Sequence, residues 1–364
     1  MIQYSKGQAP KAVCLTLWFR DHNNPRYADL FPRLSPLVRF FKITLSRHRV
    51  TRGVQFRLWN LLGRKLLYPV AARFLGRRYE TLFTVDLRQI PAWPRMQSVV
   101  VDVDDPVFDP KEVETLNLPQ IKAVVVTTER AKAIFQELGV TRPIHVIPQG
   151  INFDTSFPTD VPARRPRRDN HNAVVVGYHA PSLTMRADGK KRARGDQDDL
   201  DFLFAAVEQA RTIESRLELW LFGEPSESVK EYVGKGRQSW IKMFGYIPLS
   251  KILQRIKDVD IGVYPRTWMP PPGRFSVKLA QFMACGVPVI STKLDESFIL
   301  EDARCGIVCR SQQDFAAALL DLARSPEKRI ELGKAGRRYA QSRLDWSLLI
   351  PTYREILTGA DHDN

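Results

Sequence analysis

Asp260–Thr292 reads DIGVYPRTWMPPPGRFSVKLAQFMACGVPVIST and carries the clearest structural signal in the chain. It opens on a short apolar strand, Ile261–Tyr264, and passes through a proline-rich loop. A helix starts near Arg274–Ser276 and stops at Cys285-Gly286, where glycine accepts the left-handed C-cap conformation. A second apolar strand, Pro288–Ser291, follows at once. This order of strand, helix and strand is the repeating unit of a parallel sheet. The N–H groups of Phe275, Ser276, Val277 and Lys278 emerge from the helix start without intrahelical partners, and the helix dipole favours negative charge there. Arg274 and Lys278 add positive charge at the same end. A diphosphate suits that geometry.

Reading outward, the same rhythm fills the chain. In the first half, apolar runs at Val13–Phe19, Phe40–Leu45, Thr81–Val85, Ser98–Val103, Ala123–Thr127 and Ile144–Pro148 predict strands. They are rich in Val, Ile, Thr and Phe and lack strict alternation, as expected of a parallel sheet covered on both faces. Thr128–Leu138 predicts a helix ending at Gly139. The segment 158–172, PTDVPARRPRRDNHN, holds three prolines and four arginines and almost nothing apolar, so it reads as a linker. Beyond it, strands are predicted at Ala173–Val176, Leu217–Phe222, Ile241–Phe244 and the two already named. Helices fit Leu200–Ile213, Ser226–Val233, Leu249–Ile256, Ser276–Met283, Gln312–Arg324, Pro326–Gln341 and Trp346–Leu357. The expected fold is α/β, with two Rossmann-like doubly wound domains facing a cleft. Residues 1–160 form the first domain, 161–172 the linker and 173–342 the second domain. In 343–364 a C-terminal helix returns toward the first domain and a disordered tail follows.

Composition narrows the function classes. The 364 residues include 44% hydrophobic ones, enough for two cores. No run of eighteen apolar residues predicts a membrane span, and the N-terminus lacks a signal-peptide pattern. Cys14, Cys285, Cys305 and Cys309 form neither a CxxC pair nor a zinc set, so reduced core thiols, no metal site and a cytoplasmic setting are expected. The net charge of +15 favours anionic partners. Residues 45–78 concentrate nine basic side chains without an acidic one, interleaved with Leu58, Trp59, Leu61, Leu62, Leu66, Leu67 and Val70. Three readings stay open for this stretch: a helix on an anionic membrane surface, a solvated basic helix with an ordinary core face, and a nucleic-acid surface. No nucleic-acid motif or aromatic stacking platform supports the last, and nucleic acid is not an expected partner.

Asp260–Thr292 and its flanks resemble the C-terminal domain of family-4 retaining glycosyltransferases (group 1), which have the GT-B fold. The matching residues are Tyr264-Pro265, Ser276, Lys278, Met283-Ala284, Gly286, Pro288-Val289-Ile290 and Ser291-Thr292. Phe244-Gly245-Tyr246-Ile247-Pro248 resembles the turn that contacts the base, Gly306-Ile307-Val308 the strand after the motif, and Arg329–Tyr339 with Trp346 the closing helices. The resemblance covers about residues 170–357; the N-terminal half shares only the rhythm. It departs at one point. Many members carry two glutamates separated by seven residues, and those positions here read Gly273 and Gln281.

The resemblance implies transfer of a sugar from a nucleoside-diphosphate sugar to a hydroxyl acceptor, a glycan or lipid-linked saccharide, with retention of configuration. It points to bacterial polysaccharide biosynthesis, peripheral at the inner face of the plasma membrane, with no cofactor beyond the donor substrate. The alternative is a GT-B nucleotide-sugar-binding protein without turnover. The donor set expected is Gly177, His179, Arg186, Lys190, Gly223, Tyr246, Ile247, Arg274, Phe275, Ser276, Val277, Lys278 and Gln281. Gly177 reads as ending a strand where a ligand approaches the backbone. Arg186 and Lys190 lie in an expanded loop, with charges on phosphate or in water. Gln281 can donate to and accept from ribose hydroxyls. At the end of Val99–Pro106, VVVDVDDP, Asp104 and Asp105 are the candidate catalytic pair, orienting the acceptor hydroxyl or accepting its proton. Their competing reading is turn chemistry before a proline. Gln149-Gly150-Ile151 is expected to shape the hinge.

Overall fold

The computed structural model describes residues 12–18, 25–44, 65–93, 98–153, 173–185, 199–237, 239–269 and 271–359. The chain divides into two compact units. The first comprises Met1–Gly150, Pro271–Phe275 and Trp346–Asn364, and the second Ile151–Pro270 and Ser276–Asp345.

The first unit holds β1 (Ala12–Trp18), α1 (Pro25–Leu34), β2 (Val38–Thr44), α2 (Tyr68–Leu75), β3 (Thr81–Thr84), β4 (Ser98–Val103), α3 (Pro110–Leu116), β5 (Ile121–Val126), α4 (Glu129–Glu137) and β6 (Ile144–Val146). Its strands pair in parallel in the order β2-β1-β3-β4-β5-β6. Both faces are covered. Val99, Val101 and Val103 join one buried cluster with Phe135 and Trp93, while Val100 joins the other with Leu30, Phe83 and Trp346. That two-sided burial explains why these strands read as continuous apolar runs. Helix α4 begins where Thr128 Oγ1 accepts from Ala131 N at 3.0 Å, the expected N-cap bond.

The second unit holds β7 (Val174–Leu183), α5 (Leu200–Arg211), β8 (Leu217–Pro225), α6 (Glu227–Gly234), β9 (Ile241–Met243), α7 (Leu249–Ile256), β10 (Ile261–Tyr264), α8 (Val277–Ala284), β11 (Val289–Thr292), α9 (Phe298–Asp302), β12 (Gly306–Cys309), α10 (Gln312–Arg324) and α11 (Pro326–Arg343). Its parallel order is β12-β11-β10-β7-β8-β9. The chain builds outward from β7 through β8 to β9, then restarts at β10 on the other side of β7. The reversal falls between β7 and β10, and ligands of such sheets bind outside the carboxyl ends of the strands at that place. Helix α12 (Trp346–Thr358) belongs to the first unit, where Trp346 and Tyr353 are fully buried. At Gly150 an added Cβ would lie 2.1 Å from the Trp346 indole, so only glycine fits there.

All four cysteines are free and buried. Burial pushes the Cys305 and Cys309 thiols up to about 12. Among the described residues no helix is long and apolar enough to cross a membrane.

Several boundaries differ from the sequence expectation. Strand β7 runs six residues past Gly177 instead of ending beside it, because its pairing with β8 continues through Leu183. Helix α8 starts at Val277, one residue later than expected, since Ser276 is its cap. Helix α1 escaped the sequence reading altogether. The linker 161–172 and most of the basic stretch, residues 45–64, lie outside the described residues.

Candidate functional site

In the second unit the sheet reversal is marked by aromatic rings and charges. Tyr264 is the last residue of β10, and α8 begins after the loop that follows it. Ser276 caps α8, its Oγ accepting from Leu279 N. The N–H groups of Val277 and Lys278 lie in the first turn of α8, where the helix dipole favours an anion. The half-buried Lys278 is held over two aromatic faces: its Nζ lies 5.3 Å from the Tyr178 ring centroid and 5.7 Å from that of Tyr264. Both distances are within the range of cation–π attraction.

Tyr264 is fixed in turn. Its hydroxyl donates to Glu296 Oε1 at 2.9 Å, and Arg266 Nη1 donates to the same oxygen at 2.8 Å. Glu296 and Arg266 are 4% and 8% exposed, so this pair works in a poorly solvated setting. Thr292 Oγ1, at the end of β11, bonds Arg266 at both ends of its peptide unit, accepting from Arg266 N at 3.0 Å and donating to Arg266 O at 2.6 Å. The result is a rigid frame on the carboxyl ends of β10 and β11 that presents one ammonium group beside two helix-start N–H groups. Chemically it can hold a phosphate oxyanion and stabilise charge developing on a leaving group.

The other predicted donor residues fall differently. Gln281 is 5% exposed, one turn into α8. His179 is buried on β7 against Phe282, with ring centroids 5.2 Å apart. Packing requires glycine at 177: a Cβ there would meet Val259 Cγ2 at 2.4 Å. At Gly223 a Cβ would lie 2.2 Å from Ala180 O, and its N–H donates to Gly245 O. Tyr246 is exposed and Ile247 half-buried in the turn after β9. Arg186 and Lys190 lie outside the described residues.

Arg274 and Phe275 group with the first unit, unlike Ser276, Val277, Lys278 and Gln281. Within that first unit Arg274 Nε lies 3.5 Å from Asp105 Oδ1, and Asp105 is 70% exposed. Thr128 Oγ1 donates to Gly273 O at 2.7 Å. Gly273 has φ +81°, and a Cβ there would meet the Ala131 backbone at 2.9 Å. A glutamate at 273 would therefore carry both left-handed strain and a steric clash. Asp104 is half-buried. Its neighbour Asp102 is consumed structurally, because it accepts from Arg26 Nε and Nη2 at 3.0 and 3.1 Å. Among the described residues no His, Cys, Asp and Glu group is placed to hold a metal ion.

Residues 191–325 match the family model described as Glycosyl transferases group 1. That segment is similar to the group 1 glycosyltransferases over 135 of the 364 residues. A search of curated proteins by sequence finds no match. Among solved structures, sucrose-phosphate synthase from Thermosynechococcus elongatus aligns with TM-score 0.69 at 15% identity, covering 97% of this chain and 100% of that one. HepE of Anabaena, in complex with UDP and glucose, aligns with TM-score 0.67 at 15% identity, covering 96% and 100%. WaaG, a glycosyltransferase involved in lipopolysaccharide biosynthesis, aligns with TM-score 0.63 at 14% identity, covering 96% and 100%. The likeness establishes the GT-B fold across both units.

Of the site's frame, the sequence marked Tyr264, Ser276, Lys278 and Thr292 but not Tyr178, Arg266 or Glu296. Arg266 follows Tyr264-Pro265 at the carboxyl end of β10, where the position alone could have flagged it. Glu296 sits in a 3₁₀ turn, Asp295–Ser297, with no local pattern to mark it.

Proposed function

We propose that the protein transfers a sugar from a nucleoside-diphosphate sugar to a hydroxyl of a saccharide acceptor, glycan or lipid-linked, with retention of configuration. The observation that carries this reading is Lys278, steered by Tyr178 and Tyr264 to the start of α8 at the reversal of the second sheet. There the donor diphosphate meets the Val277 and Lys278 N–H groups and the ammonium. Charge building on the departing diphosphate is stabilised by groups already in place, which cost no reorganisation. The acceptor hydroxyl then attacks from the face the leaving group vacates and passes its proton to the departing diphosphate oxygen, so a strong protein base is not required. That fits a chain with glycine at 273. Gln281 binds the donor ribose, and Asp104 and Asp105 orient the acceptor from residues 1–160, the acceptor domain; residues 173–342 bind the donor.

The UDP complex of the HepE structure makes a uridine nucleotide the first donor to test. Thermal unfolding of the full chain with UDP, GDP and dTDP should show stabilisation by one diphosphate. Incubation with the corresponding sugar nucleotides and a saccharide acceptor panel should then release that diphosphate. Stabilisation without release would leave a binding protein; no stabilisation by any diphosphate would refute the reading.

The anionic-membrane reading of residues 45–78 gains support from the described part of that stretch. Leu66, Val70 and Phe74 are 56%, 60% and 68% exposed and follow each other at four-residue spacing, next to Lys65, Arg73, Arg77 and Arg78. Such an exposed apolar stripe with basic flanks suits a lipid headgroup boundary. Co-sedimentation with phosphatidylglycerol vesicles should occur at low salt and fall with Phe74→Glu.

A further inference from the structure

On the second unit, away from the carboxyl edge that carries Lys278, a cavity of about 210 Å³ opens at the amino-terminal edge of the same sheet. Its floor is formed where β10 and β11 begin, by Val259, Cys285, Val287 and Pro288, and α11 closes one side. Four cations line it, Lys257, Arg329, Lys334 and Arg337, against a single carboxylate, Asp260.

That carboxylate does not balance them. Asp260 Oδ2 accepts from Val175 N at 2.8 Å, and its Oδ1 stands 4.0 Å from Arg329 Nε. Arg329 spends Nη1 on the carbonyls of Leu322 and Ala323, whereas its buried Nε has no hydrogen-bond partner. Arg337 Nη1 donates to Ala284 O at 2.8 Å, closing the last turn of α8. Helix capping therefore accounts for Arg337 and in part for Arg329. It does not involve the side chains of Lys257 and Lys334, both exposed at the rim. Burial, and then the charge of Arg216, holds the Arg329 guanidinium below its ordinary range, and burial does the same to Arg337.

We infer that this cavity binds the phosphate monoester of a small organic molecule. Cations at the rim fit the phosphate, and the apolar floor fits the carbon body. The space is larger than a bare oxyanion needs. The cavity and Lys278 lie at opposite ends of the eight-residue α8, about 12 Å of helix, so the two anion sites are separable by mutation.

Calorimetric titration of the full chain with glucose 6-phosphate tests this, alongside vesicles containing phosphatidic acid, which offer the same group on a lipid. Saturable binding of either probe is expected, with the one that binds naming the source. Lys257→Glu with Lys334→Glu should weaken it about tenfold or more at an unchanged melting temperature. Lys278→Ala should leave it within about twofold, as expected for distant sites. The inference is overturned if neither probe binds, if the double variant binds as the parent does, or if Lys278→Ala abolishes binding.

Discussion

Each unit contains an arginine, a carboxylate and a tyrosine in one buried cluster, and the two clusters end differently. In the first unit Arg26 and Asp102 are both fully buried. Tyr353 donates to Asp102, and Arg26 also donates to the carbonyls of Ile147 and Pro148 and to the Tyr353 hydroxyl. Burial and the Asp102 charge hold the Tyr27 hydroxyl above its usual range, so it stays protonated. Every strong donor is used inside, which ties α1, β4 and α12 together. In the second unit Arg266, Glu296 and Tyr264 form a similar core, but the series continues through the Tyr264 ring to Lys278 at a helix start. The closed cluster serves stability. The open one delivers a cation to a place where an anion can come.

The largest test breaks the closed cluster. Asp102→Ala strands Arg26 without its counter-charge, and the expected loss is about 3–5 kcal/mol of stability, read by denaturant unfolding. A loss under about 1 kcal/mol would mean that water reaches the cluster. The next test acts on the open one. Lys278→Ala should lower donor turnover about a hundredfold while the unfolding midpoint stays near that of the parent. A variant that unfolds early instead would place Lys278 with the structural set. The smallest effect is expected at Gly273, where Gly273→Ala forces a side chain into φ +81° against Ala131, for about 1–3 kcal/mol. Gly273→Glu should not raise turnover, and a gain would show that the loop can adopt another backbone.

Much of this was legible in the sequence. Ser98–Val103, Ile261–Tyr264, Leu249–Ile256 and Gln312–Arg324 form elements with the boundaries their apolar patterns give, because buried parallel strands and amphipathic helices leave strong local periodicities. The Ser276–Lys278 helix start was equally visible, since capping chemistry is local. Arg26 was not. It lies on a helix the pattern missed, with its carboxylate 76 residues away and its tyrosine 327 residues away. Glu296 reaches Tyr264 across 32 residues, and nothing in its own neighbourhood marks it as a partner.

The sequence by itself determined the α/β alternation, the glycine-capped motif helix and the positive charge at its start, because each follows from neighbours along the chain. Only the tertiary structure decided what that charge is tied to. Strand order brings Tyr178 and Tyr264 to Lys278 and so steers it, and the packing of Gly273 on Ala131 excludes a side chain at that position. Both depend on contacts between residues far apart in sequence, which local periodicity does not record.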